Sequence, residues 1–115
     1  MKIEYVEGAK TIKINDREID LQDKIWSVLE YKNKCIVTLD PDFGRRNVFC
    51  FDADGNLLWQ IEKAEFFKHG DQGYEGAYIG ALEVQGKLMV GSRGRPFYLD
   101  INTGKVEFIP GTFEK

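Results

Sequence analysis

One pattern of four short strands is written twice in this chain. Laying positions 26–39 on positions 79–92, a shift of 53, puts Leu29 on Leu82, Glu30 on Glu83, Lys34 on Lys87 and Val37 on Val90. Laying Val48-Phe49-Cys50-Phe51-Asp52 on Pro96-Phe97-Tyr98-Leu99-Asp100, a shift of 48, puts Phe49 on Phe97 and Asp52 on Asp100. The smaller second shift means that the loop between the second and third strands is five residues longer in the first copy. A Gly-containing turn follows each Asp, and an aromatic follows each turn, Trp59 in one copy and Phe108 in the other. Repetition on this scale marks a supersecondary unit that buries its apolar face on a neighbour.

The turns between the strands have a chemical reason. Lys32-Asn33-Lys34, Asp54-Gly55-Asn56, Gln85-Gly86-Lys87 and Asn102-Thr103-Gly104 separate runs rich in Ile, Val, Phe and Tyr. Gly and Asn tolerate the positive φ of tight hairpin turns, and Asp and Asn side chains bond their own backbone. Strands are predicted at 25–31, 35–39, 48–52 and 57–61, and again at 78–84, 88–91, 97–101 and 106–109. Ahead of them, 3–6 and 11–14 flank Gly8 as a hairpin, and Asn15-Asp16-Arg17 turns the chain toward Ile19 and Leu21. Only 62–68 has a helical pattern, too short to hold without packing, and it is read as a loop with at most a turn of helix. An aromatic share of 13% and twelve Gly suit strands and turns.

The expected fold is therefore all-β, with about eight to ten antiparallel strands in two four-stranded units and an N-terminal hairpin. The 115 residues suit a single domain: N-terminal strands at 1–24, a first unit at 25–61, a connecting loop at 62–77 and a second unit at 78–115.

The run from Phe49 through Asp52, Gly55 and Trp59 resembles a β-propeller blade of the quinoprotein-like type, and so does the run from Phe97 through Asp100, Gly104 and Phe108. In such blades an apolar third strand ends at Asp, a Gly turn follows, and an aromatic sits on the fourth strand. The resemblance implies two blade-like sheets. Closed propellers use about four to eight blades, so two do not close. The expected form is a half-propeller whose open face the N-terminal strands cover; a ring completed by several chains is the alternative. A half-propeller of this size is similar to some immunity proteins of bacterial contact-dependent growth inhibition, which bind a cognate nuclease toxin and block its active site. That likeness is one of architecture, and a fold does not fix a function.

Residues for chemistry are sparse. His69, in a Gly-flanked loop, is the one histidine and reads as solvated. Cys35 and Cys50 fall on neighbouring predicted strands, where antiparallel pairing can set them opposite each other. Their counterparts Leu88 and Tyr98 mark both positions as packing sites, so buried free thiols are expected. Asp52-Ala53-Asp54-Gly55-Asn56 looks like a calcium loop, but its Gly is fourth rather than sixth, and Lys63 stands where the twelfth-position Glu belongs. No catalytic residue, metal site or cofactor is expected, and the chain is read as a non-enzyme.

The loops carry the functional expectation. Loops 40–47 and 92–96 should open on one rim, joined by the connection at 65–75. Four of the five arginines lie there, Arg45, Arg46, Arg93 and Arg95, beside Asp40, Asp42, Phe43, Phe67, Asp71, Tyr74 and Glu75. Arg and aromatic residues are enriched at binding hot spots. The plain reading is a solvated rim. The functional one is a protein-binding rim whose Asp40, Asp42, Asp71 and Glu75 face a basic partner. Carboxylates interleaved with the arginines weaken a phosphate-binding reading.

The formal charge of −3 and pI near 5.2 argue against general nucleic-acid binding. No run approaches the roughly 18 apolar residues of a spanning helix, and Met1-Lys2-Ile3-Glu4-Tyr5 does not read as a leader. A cytoplasmic chain, monomeric when free, with no membrane partner, is expected. The expected function is an immunity or inhibitor protein that binds a basic toxin domain, of nuclease type, and blocks its active site sterically. The alternative is a non-enzymatic ligand-binding or scaffold module.

Overall fold

The computed structural model describes residues 1–63, 76–92 and 94–109. Among them eleven strands form three antiparallel sheets, and a 3-10 turn at Pro41–Phe43 is the single helical element. The helical pattern at 62–68 lies largely outside the described residues, as does His69.

The first sheet is β1 (Ile3–Glu4), β2 (Thr11–Ile14) and β3 (Arg17–Asp20), in that order. It contains the predicted hairpin, β1 with β2, and extends it by β3. Asn15 and Asp16, at φ of 48° and 71°, make the left-handed turn that folds β3 onto β2. The second sheet is β4 (Ile25–Tyr31), β5 (Lys34–Leu39), β6 (Val48–Phe51) and β7 (Leu57–Gln60). The third is β8 (Ala81–Val84), β9 (Lys87–Ser92), β10 (Arg95–Leu99) and β11 (Val106–Phe108). Both four-stranded sheets are meanders in sequence order, so the doubled pattern of the sequence corresponds to two sheets of one connectivity.

The second sheet is covered on both faces, which is why β5 and β6 read as nearly continuous apolar runs rather than alternating ones. Toward the first sheet, Cys35, Val37, Leu39, Phe49 and Phe51 pack with Ile12 and Ile14. Toward the third, Ile36, Cys50, Val48 and Trp59 pack with Leu88, Val90, Phe97 and Leu99.

Register corrects two expectations. Cys35 pairs with Phe51, and Cys50 with Ile36. The one-residue offset sends the two thiols to opposite faces, so they do not oppose each other; both are buried and free, as expected. Trp59 pairs with Cys50, whereas Phe108 pairs with Phe97. By register the counterpart of Trp59 is Glu107. The two aromatics occupy opposite faces of their sheets and meet in the same core between them.

The sheets are joined by one repeated device. Asn15 of the first sheet donates its Nδ2 to the carbonyl of Ala53 at 2.9 Å. Trp59 of the second donates its Nε1 to the carbonyl of Ile101 at 2.7 Å. Ala53 and Ile101 are 48 positions apart, the repeat shift itself. At the same turns a Cβ on Gly55 would lie 2.9 Å from Arg17 Cδ, and one on Gly104 would lie 2.6 Å from Trp59 Cε3. Each Asp-to-Gly turn is thus a seat for a side chain of the preceding sheet, and Gly is there because the seat leaves no room.

Candidate interaction surface

β4 opens with an irregularity that decides the surface. Ile25 pairs with Leu39 and Ser27 with Thr38, so Trp26 is an extra residue with no partner across the ladder. A β-bulge of this kind re-aims a side chain. Ile25 stays buried in the core, and Trp26 turns outward with 47% of its surface exposed. The turn at Val6–Ala9 lies against it, since Gly8 N–H donates to the Ile25 carbonyl at 3.0 Å and Ile25 N–H to the Ala9 carbonyl at 2.8 Å.

The result is a shallow depression of about 410 Å³ lined by Glu7, Gly8, Lys24, Ile25, Trp26 and Asp40. Residues of both charges, Glu7, Asp40 and Lys24, share it with an exposed indole. Ser27, next in the chain, reaches to 3.3 Å of the Cβ position of Gly80. Ile79, which the repeat sets on Trp26, is 55% exposed as well.

Asp40 enters this depression through its backbone. Its N–H donates to the Lys24 carbonyl at 2.8 Å, and its carboxylate caps the 3-10 turn by accepting from Asp42 N–H at 2.8 Å. Pro41 follows at the first helical position, where a missing N–H costs nothing.

The other predicted rim residues divide. Asp42 and Arg45 are exposed beside Asp40. Phe43 is a packing residue, half-buried with its ring edge-on to Phe49 at 5.8 Å. Arg46 donates to the carbonyls of Ile61 at 2.9 Å and Gln60 at 3.5 Å, and so closes the end of β7. Arg95 is half-buried at the start of β10, paired with Ser92. Phe67, Asp71, Tyr74, Glu75 and Arg93 lie outside the described residues. Trp26 and Glu7 were missed as site residues; the available signal was a Trp beginning a strand otherwise patterned for two cores.

A second depression of about 450 Å³ lies between the second and third sheets, lined by Arg46, Glu62, Lys63, Phe97, Val106 and Phe108. Glu62 is anchored there, its carboxylate accepting from Val106 N–H at 2.7 Å and its carbonyl from the Tyr78 hydroxyl at 2.8 Å.

The thiols are set apart from such surfaces. Burial pushes Cys35 and Cys50 up to about 12, with the neighbouring Cys50 adding to the rise at Cys35 and Asp52 to that at Cys50, against Lys34. Thiols held neutral in this way are poor nucleophiles. Among the described residues no group of three or more His, Cys, Asp or Glu side chains could hold a metal ion. No helix among them is long and apolar enough to cross a membrane.

The chain belongs to the family described as "Domain of unknown function (DUF7957)", whose model matches residues 1–109. No curated protein and no solved structure matches it.

Proposed function

We propose that this DUF7957 member is a protein-binding module that captures a basic partner around Trp26 and acts by covering it, as an inhibitor of a nuclease-type toxin domain would. In this reading the two four-stranded sheets are the blades of a half-propeller, and the first sheet is the cap. The observation that carries it is the bulge that lifts Trp26 out of the ladder into a depression also lined by Glu7, Lys24 and Asp40. An exposed indole beside carboxylates suits a Lys or Arg side chain, through cation–π contact with the ring and charge attraction at its edge. Trp is also the residue type most enriched at hot spots. The inhibition is steric and electrostatic, so it needs no group of this chain to gain or lose a proton.

The test is titration of the chain against the nuclease domain of a secreted toxin whose gene adjoins its own, following binding by calorimetry and nuclease activity in parallel. Stoichiometric loss of activity, weakened by Trp26→Ala and by Asp40→Lys, supports the reading. Full activity at saturating chain sinks it. The second reading, a ligand-binding module, is favoured by the depression at Arg46, Lys63 and Glu62. It predicts that a small anionic ligand raises the melting temperature, and that Arg46→Ala removes this effect while Trp26→Ala does not.

A further inference from the structure

We infer that the basic partner presents an extended segment that pairs with the free edge of β4 and adds an antiparallel strand to the second sheet. This rests on the reading of a basic partner at Trp26 and names the form in which that partner arrives.

β4 is the first strand of its sheet and has β5 on one side only. Hydrogen-bond alternation decides what its other side offers. Lys32 and Asn33, at φ of 51° and 61°, make the two-residue turn between β4 and β5. In a hairpin closed this way the flanking pair, Tyr31 and Lys34, exchanges both N–H···O bonds, and every second pair does the same. Leu29 with Ile36 is therefore bonded too. Glu30 with Cys35 and Val28 with Val37 turn their N–H and C=O groups away from each other. β5 agrees: Leu39, in step with Cys35 and Val37, gives its N–H to the Asn47 carbonyl, on the side away from β4. Val28 and Glu30 thus aim two donors and two acceptors off the edge of the sheet, and no other described residue bonds them.

The chain begins to use this edge and then leaves it. Ile25 N–H and C=O point the same way, and Ala9 and Gly8 bond them. The Ala9 N–H turns back to the Val6 carbonyl at 3.0 Å, with Gly8 left-handed at φ of 86°, so the pairing ends after one rung.

Charge says what continues it. Glu30 is exposed, and its carboxylate already lies 3.8 Å from a cation, the Met1 ammonium. Glu7 and Asp40 stand, with Lys24, in the depression at the other end. Between the ends, Val28 and Leu29 are half-buried and uncharged. From Glu30 to Trp26 is about 14 Å along a strand, so about five residues reach from that carboxylate to the indole. A residue paired with Glu30 turns its own N–H toward β4 and lays its side chain on the same face as the carboxylate. Lys or Arg fits that place. β3, the edge of the first sheet, is finished differently: Arg17, Glu18 and Asp20 are all exposed along it, and charges of both signs discourage pairing.

The probe is a synthetic nonapeptide of alternating lysine and threonine, titrated into isotope-labelled chain while amide exchange is followed by NMR. In the free chain the Val28 and Glu30 amides should exchange fast. Peptide at saturation should slow both about tenfold. Methylating every lysine backbone nitrogen should abolish binding, whereas methylating the threonine nitrogens should not, because only the lysine N–H groups face β4. A glutamate–threonine peptide should not bind, and Glu30→Lys should weaken the parent peptide. Failure of the parent peptide to bind overturns the inference, as does equal binding by the lysine-methylated form. Binding that Trp26→Ala abolishes while Val28 and Glu30 stay unprotected also overturns the added strand, but leaves the Trp26 reading standing. Protection of both amides that Trp26→Ala does not alter supports the added strand and removes Trp26 from the site.

Discussion

Asn47 and Tyr78 hold each other across the gap between the second and third sheets. The Asn47 Nδ2 donates to the Tyr78 carbonyl at 2.7 Å and to the Leu39 carbonyl at 2.9 Å, while its Oδ1 accepts from Tyr78 N–H at 2.9 Å. Both residues are fully buried, so the amide supplies what a strand partner would have supplied. Asn47→Ala leaves three buried backbone groups unpaired and is expected to cost about 3 kcal/mol or more. Asn47→Asp should cost at least as much, because a carboxylate turns an acceptor toward two carbonyls. Urea unfolding midpoints measure both; a loss for either near that of an ordinary surface substitution would show that the amide does not join the sheets.

Gly104 and Gly86 make a controlled pair. Both have left-handed backbones, at φ of 78° and 81°, but a Cβ on Gly104 meets the Trp59 ring while one on Gly86 meets nothing within 4 Å. Gly86→Ala should cost only the left-handed conformation, roughly 1–2 kcal/mol. Gly104→Ala should cost clearly more and should quench or shift Trp59 fluorescence. Equal melting temperatures for the two variants would mean that the indole does not sit on the turn.

Alkali should unfold the protein by a defined route. Burial holds Cys35 and Cys50 neutral up to about 12, and it also pushes the Tyr78 hydroxyl upward, helped by the Glu62 carboxylate. In the unfolded chain a thiol ionises near 9.0. Above that pH the unfolded state has lost protons that the folded state keeps, so stability falls as pH rises from about 9 to 12. Stability from the thiols is fully present below that window. Melting temperature followed from neutral pH upward should drop through it, and Cys50→Ala should flatten the drop. A disulfide-exchange reagent at mild pH should label either thiol only as fast as the chain opens.

Trp26→Ala separates stability from binding. With about half the indole in solvent and no partner across the ladder, the substitution should cost under about 1 kcal/mol of folding stability. Affinity for a basic partner docked there should fall about 30-fold, near 2 kcal/mol. Unchanged affinity at unchanged stability would place the partner elsewhere.

Much of this architecture was legible residue by residue. The turns at Asn33, Gly55 and Gly86 were readable because positive φ restricts the residue types that fit. The match of 26–39 with 79–92 held because Val37 and Val90 each face the core shared with the preceding sheet. The rim was only partly legible. Asp40 and Arg46 were expected to face a partner, but Asp40 also caps a turn and Arg46 closes β7 on two carbonyls. Sequence spacing does not show which carbonyls lie within reach of a long side chain. Trp26 escaped notice because a bulge is one residue of register slip, with no signature of its own in composition.

The sequence by itself determined the class of fold, the two matching four-stranded units and the positions of their turns. These follow from local φ restrictions and from side-chain alternation along single strands. Only the tertiary structure decided that the N-terminal segment is a third sheet, that the thiols face opposite cores, that Trp59 corresponds to Glu107 rather than Phe108, and that Trp26 points outward. Each of these depends on register between strands distant in sequence. A single step of register exchanges the two faces of a strand without changing any residue in it.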